Sequence, residues 1–542
     1  MTEATSQSKH CFGLDEALVE TSKDGAPKRA LVVVEGLETP KWAAHAINNL
    51  SAQGWELDCA HTAFGSNRRS LAQRLYAGIE RLKFAVPDDA RSSARPHQTL
   101  PWLQDLPAHD QPCWHYCIYL GHELPLSELI PLAQIAVIYT EIGSQRKSGW
   151  EDYSEEHPAT SIRLKKATPS GDISTLFEAH AEVDVRSVTR TENRALWTAA
   201  TLITPGLIET DEPPSVERSP PAGPGTVSTA DVIRAARTFG RRYLEKKRAR
   251  KLGEERWLVE LFCRKTGDAR RIEPPVGENY ADPLIHEIDG KDHLYFEAYE
   301  NKGRGRILTA EVMKDGTVAP PQEAISADYH LSFPFAFSWE GRHFMIPESS
   351  ENRTIDLWEC DGHPAQWSKR ETLLGGVDAV DTTLHEQDGL WWMFVSERKH
   401  PATSYHDSLF LYFAETPLGP WQPHRNNPLK LDVQSSRNAG PLFSYQGRLI
   451  RPAQDCRSRY GAGIVLNLVH TLSPEKYVEE PYATIRPTGT GDNGLHTLCL
   501  TPSLIAIDRR VRGAIRPEAA PERSKDGRCA WWPIERTAVQ RL

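Results

Sequence analysis

Acidic residues recur in this chain at fixed distances from a set of glycines. Eight residues before Gly290, Gly341, Gly389 and Gly447 stand Asp282, Phe333, Asp381 and Ala439. Seven residues after the same glycines stand Glu297, Glu348, Ser396 and Gln454, the last two followed by Glu397 and Asp455. Carboxylates crowded together repel when ionised, so at least one should hold its proton to higher pH. One acid and one base of this kind are what cleavage of a glycosidic bond requires.

The elements that position them form a repeat. "ADPLIHEIDGKDHLYFE" (281–297) and "SFPFAFSWEGRHFMIPE" (332–348) align without a gap, and "VDTTLHEQDGLWWMFVSE" (380–397) and "NAGPLFSYQGRLIRPAQD" (438–455) follow the same plan. A degenerate fifth copy is "GLHTLCLTPSLIAID" (494–508). The turn glycines are spaced by 51, 48 and 58 residues. An acid or amide followed by Gly between two strands signals a hairpin, and a hairpin repeat of about 50 residues signals a β-propeller. Five copies predict five blades, and "RWLVELFCR" (256–264) is the strand expected to pair with the C-terminal blade and close the ring.

In such a ring the first strand of each blade lines a central channel. Asp282 and Asp381 therefore have the strongest claim on chemistry, with His496 near the same level in the fifth copy. Asp282, Glu348 and Asp381 are the candidates for acid–base chemistry at the mouth of this channel. Arg437, Arg451 and Asp455 are expected to bind hydroxyl or phosphate groups. His330, Glu397, Gln454 and His496 complete the candidate substrate contacts. The structural alternative is that blade-start Asp residues cap turns and strand-end acids pair with arginines of neighbouring blades. "RPAQD" (451–455) poses that choice most sharply, since Gln454 and Asp455 either face a substrate or pair with Arg437 and Arg451.

The repeat motifs, together with "RYGAGIVLNLVHTLSPEKYVEEP" and "GLHT", resemble the five-bladed propeller domain of plant glucosamine inositolphosphorylceramide transferases and its bacterial relatives, over roughly Trp257 to Arg512. That domain is similar to furanosidase propellers. The resemblance implies a base Asp at the start of blade one, matching Asp282, a second Asp matched by Asp381, and a general-acid Glu matched by Glu348 or Glu397. In the plant proteins a separate C-terminal domain carries the transferase chemistry. About thirty residues follow the propeller here, so that activity is not expected to carry over unchanged. A nucleotide-sugar donor is the cofactor candidate, and a sugar or glycolipid the substrate.

Upstream, "RALVVVEG" (29–36), "CWHYCIYLG" (113–121) and "IAVIYTEIG" (135–143) read as buried parallel strands. They alternate with helical segments such as "PKWAAHAINNLSAQG", which predicts an open α/β sheet. "LYAGIERLKFAVPDDA" and "SQRKSGWEDYSEEHPATSIRLKKATPSGDIS" resemble the formyltransferase-like domain that precedes this propeller in bacterial relatives. The Asn-x-His of working formyltransferases is replaced by "IYTEIGSQRKSGWED", so formyl or acyl transfer ranks as an alternative function. A retained nucleotide-sugar or substrate site would involve Arg146, Trp150 and Glu151. The expected divisions are a loose N-terminus (1–28), the α/β domain (29–208), a Pro-rich linker with a basic helix (209–255), the propeller (256–512) and a tail (513–542). Ser228 and Asp231 are expected to cap that basic helix.

The bulk numbers narrow the partners. The 542 residues carry 64 Lys and Arg against 73 Asp and Glu, a net charge of −9, which argues against nucleic acid as the main partner. No apolar run approaches a membrane span, and the first residues do not read as a signal peptide. Nine scattered cysteines suit reduced thiols, so a cytoplasmic location is expected. "CWHYC" lacks a second cysteine pair at zinc-site spacing, so no metal site is expected. Composition carries no signal for an oligomeric state. A non-catalytic sugar- or glycolipid-binding propeller remains the second functional expectation.

Overall fold

The computed structural model describes residues 28–512 except for 63–69, 96–99, 104–105, 107–113, 122–123, 144–146, 205–215, 218–226, 250–254, 302 and 488–491. The expectations for residues 1–27, Cys113, Arg146 and the tail lie outside the described residues.

The N-terminal part is a mixed eight-stranded sheet. Its order is Trp102–Leu103, Glu56–Thr62, Arg29–Glu35, Trp114–Leu120, Ala133–Ile142, Ala159–Ala167, Ile173–Glu182 and Val216–Glu217. The first five are parallel. Arg29–Glu35, Trp114–Leu120 and Ala133–Ile142 are the three that their apolar runs predict, covered on both faces, whereas Glu56–Thr62 and Trp102–Leu103 carry no such run. Val32 and Val34 pack towards helices Lys41–Ala52 and Val188–Ile203, while Leu31 and Val33 join a core with Leu129 and Leu132 on the other side. The last three strands are antiparallel, an extension that the βα alternation did not predict. The basic helix Thr229–Ala249 starts with the expected reciprocal cap: Ser228 N–H donates to Asp231 Oδ2 (2.8 Å) and Asp231 N–H to Ser228 Oγ (3.2 Å).

The C-terminal part is a five-bladed β-propeller. Blade 1 begins with the hairpin Glu278–Ile288 and Lys291–Glu300, and blade 2 with Ser332–Trp339 and Arg342–Ser349. Blade 3 begins with Ala379–Gln387 and Leu390–Glu397, and blade 4 with Phe443–Tyr445 and Arg448–Asp455. Blade 5 is composite. Glu255–Cys263 pairs antiparallel with Leu504–Arg512 over nine residue pairs, so the strand expected to close the ring does close it.

The repeat has a backbone cause. Each opening hairpin turns on two residues with positive φ: Asp289/Gly290 (52°, 74°), Glu340/Gly341 (49°, 72°), Asp388/Gly389 (55°, 78°) and Gln446/Gly447 (51°, 73°). These are type I′ turns, whose twist matches that of the strands and which favour Gly at the second position. Asp282, Phe333 and Asp381 also have positive φ (52°, 42° and 53°), and the register skips at each of them. A bulge therefore recurs on the inner strand of blades 1 to 3, where it re-aims the side chain.

The two parts share a core. Ala402 and Leu431 of the propeller pack into the cluster formed by the first sheet and its helices. His180 exchanges main-chain hydrogen bonds with Leu431 (2.7 Å) and Val433 (3.0 Å), and His400 stacks on Trp197 at 3.6 Å. Among the described residues, no helix is long and apolar enough to cross a membrane.

Candidate functional site

The bulges converge on the channel, where blade 5 meets blade 1. Asp282 is buried and its carboxylate is held on three sides. Thr497 Oγ1 donates to Oδ1 (2.7 Å), the Phe333 N–H donates to Oδ2 (3.3 Å), and His496 Nε2 lies 3.2 Å from Oδ1. The other ring nitrogen of His496 lies 2.7 Å from Asp508 Oδ2. Asp508 also accepts the main-chain N–H groups of His496 (2.9 Å), Thr497 (3.1 Å) and Asp282 (3.2 Å). An imidazole is thus held between two buried carboxylates. Burial alone would lower the His496 pKa, but Asp508 and Asp282 outweigh it and push it up to about 10. Asp282 shows the reverse balance. Burial pushes it up, while His496, the Thr497 hydroxyl and Arg437 hold it below the usual carboxylate range.

A second group of carboxylates lies in the same electrostatic neighbourhood. Glu348, on the second strand of blade 2, accepts a hydrogen bond from Ser350 Oγ (2.8 Å). Protein surrounds it, yet part of its surface stays open to solvent. Burial, together with the charges of Asp381 and Asp282, pushes it up to about 8 against the pull of Arg437 and Ser350. Glu297, the matching residue of blade 1, is pushed up to about 7, first by burial and then by Asp282, against the His330 hydrogen bond. His330 Nε2 lies 3.0 Å from Glu297 Oε1, and its Nδ1 accepts the Gly305 N–H (2.9 Å), which directs the ring proton at the carboxylate. A β-carbon at Gly305 would stand 2.7 Å from Glu297 and 2.3 Å from the Leu331 carbonyl, so this approach needs glycine.

Across blades 3 and 4, Arg437 grips Asp381 through Nε (2.6 Å) and Nη2 (3.3 Å). Gln454 donates to the same carboxylate (2.9 Å). The Arg437 guanidinium sits 5.0 Å above the Tyr460 ring, and that ring meets His496 edge-on at 5.0 Å. The channel therefore holds two carboxylates paired with cations, Asp282 with His496 and Asp381 with Arg437, and two that burial and acidic neighbours push up, Glu297 to about 7 and Glu348 to about 8.

The structure thus brings together Asp282, Glu348, Asp381, His330, Arg437, Gln454 and His496, and it does not bring the other three in. Arg451 is fully buried, and its guanidinium bonds Glu479 (2.8 and 2.6 Å), Asn438 (3.1 Å) and the carbonyls of Ser435 and Ser436. Those bonds engage every nitrogen of the group in binding blade 4 together. Asp455 is taken up by Arg457 (3.0 and 2.9 Å) and Arg486 (2.8 Å), not by Arg437 or Arg451. Glu397 pairs with Lys399 Nζ (2.5 Å) and Tyr412 (2.8 Å) and lines a cavity between the two domains. The alternation of a strand explains both acids: Ser396 and Gln454 face the channel neighbours, so the next residue points the other way.

Asp508, Thr497 and Tyr460 were missed as site residues. Asp508 ends the fifth copy, the place where the other copies end in Glu or in an amide–acid pair. That copy lacks the turn glycine, so the position could not be counted from it. Asp282, His496 and Asp508 each bring one possible metal-ligand atom within 4.8 Å of the others, the one such grouping found among the described residues. The protonated imidazole already supplies positive charge there, so this donor set makes a poor cation site. In the α/β domain Trp150 and Glu151 are buried on the short helix Trp150–Ser154, where Trp150 joins the cluster of Tyr153, Val188 and Val232.

Comparison with known proteins now bears on the propeller. Residues 266–491 match the family described as "Glucosamine inositolphosphorylceramide transferase 1, N-terminal". The resemblance read from the motifs holds for this domain. The chain is similar to the glucosamine inositolphosphorylceramide transferase 1 of Oryza sativa subsp. japonica, with 34% identity over 37% of this chain and 27% of the relative. For the Arabidopsis thaliana protein of the same name, identity is 32% over 38% of this chain and 27% of the relative. The chain spans about a quarter of the length of these curated relatives. Among solved structures it is similar to the family 117 glycoside hydrolase Zg3597 of Zobellia galactanivorans (13% identity, 49% of this chain and 97% of that one, TM-score 0.33). It is also similar to the GH43 BlXynB protein of Bacillus licheniformis (16% identity, 41% and 50%, TM-score 0.31). The family match lies within the propeller, so the formyltransferase-like reading of the first domain gains nothing from it.

Proposed function

We propose that the propeller channel makes or breaks a glycosidic bond in a sugar or glycolipid substrate. The observation that carries this is the opposed protonation of Asp282 and Glu348: one is held ionised by His496, the other held protonated to about pH 8 by burial and its acidic neighbours. In this reading Glu348 gives its proton to the leaving oxygen, and Asp282 serves as base or faces the developing positive charge on the sugar. Asp381 raises the Glu348 pKa, while Arg437 restrains it and fixes Asp381 in place. His330 and Arg437 are then the groups left to meet hydroxyl or phosphate, since Gln454 is fully buried and donates its amide to Asp381 and to the Asn438 carbonyl. The relatives' name supports a substrate carrying glucosamine or inositolphosphorylceramide, and a nucleotide sugar is the donor we assign for transfer. A cytoplasmic setting belongs to the same proposal.

The test incubates the full chain with UDP-N-acetylglucosamine and inositolphosphorylceramide, and separately with aryl glycosides, and follows products by mass spectrometry. Turnover should fall by about a hundredfold or more in Asp282→Asn and in Glu348→Gln, the range of lost acid–base catalysis. Undiminished turnover in either variant would sink the assignment. One observation favours the binding-module alternative: both oxygens of Asp282 already accept hydrogen bonds from the protein. Ligand binding that survives Asp282→Asn, with no product from the wild-type chain, would select it.

A further inference from the structure

The helix Leu71–Lys83 has two apolar faces, and among the described residues the fold uses one. Ala72, Tyr76 and Ala77 turn inward, the first two against the cluster of Trp150, Tyr153 and Val232. On the other side Leu71, Leu75, Ile79 and Leu82 are 71%, 61%, 65% and 92% exposed. Their spacing of four, four and three residues puts them in one stripe along the helix. Single exposed leucines are ordinary, but a row of four along one helix marks a contact surface.

Charge identifies the contact. At 100° per residue, Arg74 and Arg81 flank the stripe on one side and Lys83 on the other. The basic helix Thr229–Ala249 packs alongside: Phe84 meets Phe239 at 6.0 Å, and Lys83 Nζ lies 4.8 and 5.0 Å from the rings of Phe239 and Tyr243. It adds the exposed Tyr243 and Leu244 (55% and 56%). Its seven Lys and Arg against Asp231 and Glu245 give a local charge of +5 in a chain of −9. Arg234, Arg241 and Arg242 pair with Glu155, Glu156 and Asp231, whereas exposed Arg237, Lys246, Lys247 and Arg248 make no ion pair among the described residues.

We propose that these two helices form a docking surface for an anionic membrane leaflet. The aliphatic stripe would enter the headgroup–acyl boundary and the basic residues would meet lipid phosphates. A nucleic acid would engage the charges and could stack on Tyr243, but it would leave the four-residue aliphatic row in water. A second copy seated face to face would set these basic residues against one another. The inference rests on the helices alone and stands whatever bond the propeller handles.

The test mixes the full chain with phosphatidylcholine vesicles, with and without phosphatidylserine, and measures co-sedimentation. Binding should require phosphatidylserine and fall with added salt. Leu75→Gln/Ile79→Gln/Leu82→Gln should abolish it with the melting temperature unchanged, since these side chains face out. Lys246→Ala/Lys247→Ala/Arg248→Ala should weaken it by about a hundredfold, from roughly fivefold per basic residue near an anionic surface. Three results would overturn the proposal. One is no sedimentation of the wild-type chain with phosphatidylserine vesicles at low salt. Another is a glutamine variant that binds as well as wild type, which would mark a charge-only polyanion site. The third is a dimer in ultracentrifugation that the glutamine variant dissolves, which would make the stripe a self-contact.

Discussion

Replacing His496 by Gln should destabilise the propeller more than most buried substitutions, and for a reason that pH can expose. The imidazolium lies 3.2 Å from Asp282 and 2.7 Å from Asp508, with all three groups buried. Removing it leaves two carboxylates facing each other out of water. Breaking a buried ionic group in this way costs about 3–5 kcal/mol. Proton linkage gives a similar figure: a histidine raised from 6.5 to about 10 on folding stores ~5 kcal/mol as an upper bound. The sign follows from the raised value. That stability is whole below pH 6.5 and is lost as pH climbs through about 10. Wild-type thermal midpoints should therefore decline over that window. His496→Gln should melt roughly 10 °C lower at neutral pH and lack this decline, having already lost the contribution. Asp508→Asn added to His496→Gln should recover part of the loss, because it removes one of the facing charges. A single variant as stable as wild type, or a double variant no better than the single, would refute the reasoning.

Other consequences are measurable in the same preparations. If Glu348 is the acid, activity should fall as pH rises past about 8, and Arg437→Met, by removing a charge that lowers the Glu348 pKa, should move that limb upward. A limb that stays put would deny the coupling. Arg451→Met should cost about 3–5 kcal/mol of unfolding free energy in urea by stranding Glu479, while ligand affinity of the folded protein stays unchanged. An affinity loss without destabilisation would return Arg451 to the binding surface. Gly305→Ala should depress the melting temperature and disturb the Glu297–His330 contact, visible as a shifted His330 titration by NMR; an unshifted titration would show that the contact tolerates a β-carbon.

The blades were legible because one turn type needs glycine at one place, so counting from that glycine gave Asp282, Glu297, Glu348 and Asp381 their levels. Pairing was less legible. Arg437 and Asp381 are 56 residues apart and belong to different blades, and the repeat says nothing of which cation crosses which seam. Glu397 and Asp455 show how easily an acid is read one residue out: the strand period of two turns each away from the channel. The question raised by "RPAQD" is answered by the same alternation. Arg451 and Asp455 serve blade 4, and Gln454 alone of the cluster reaches the channel, holding Asp381 of blade 3. In the first domain three of the five parallel strands announced themselves by apolar runs, while Glu56–Thr62 is too mixed to do so, and Ala159–Ala167 and Ile173–Glu182 alternate and signalled no partner.

Closure of the ring by Glu255–Cys263 and Leu504–Arg512 has a consequence for how the protein comes to work. The buried ionic centre draws Asp282 from the first blade and His496 and Asp508 from the last, which leave the ribosome more than two hundred residues apart. Until the final strand docks, Asp282 has neither its imidazole nor its threonine, and the ring around the channel is open. Synthesis itself thereby acts as a timer: the buried ionic centre cannot form until the last blade strand is made, and a chain cut before Leu504 should lose ring closure and propeller folding together.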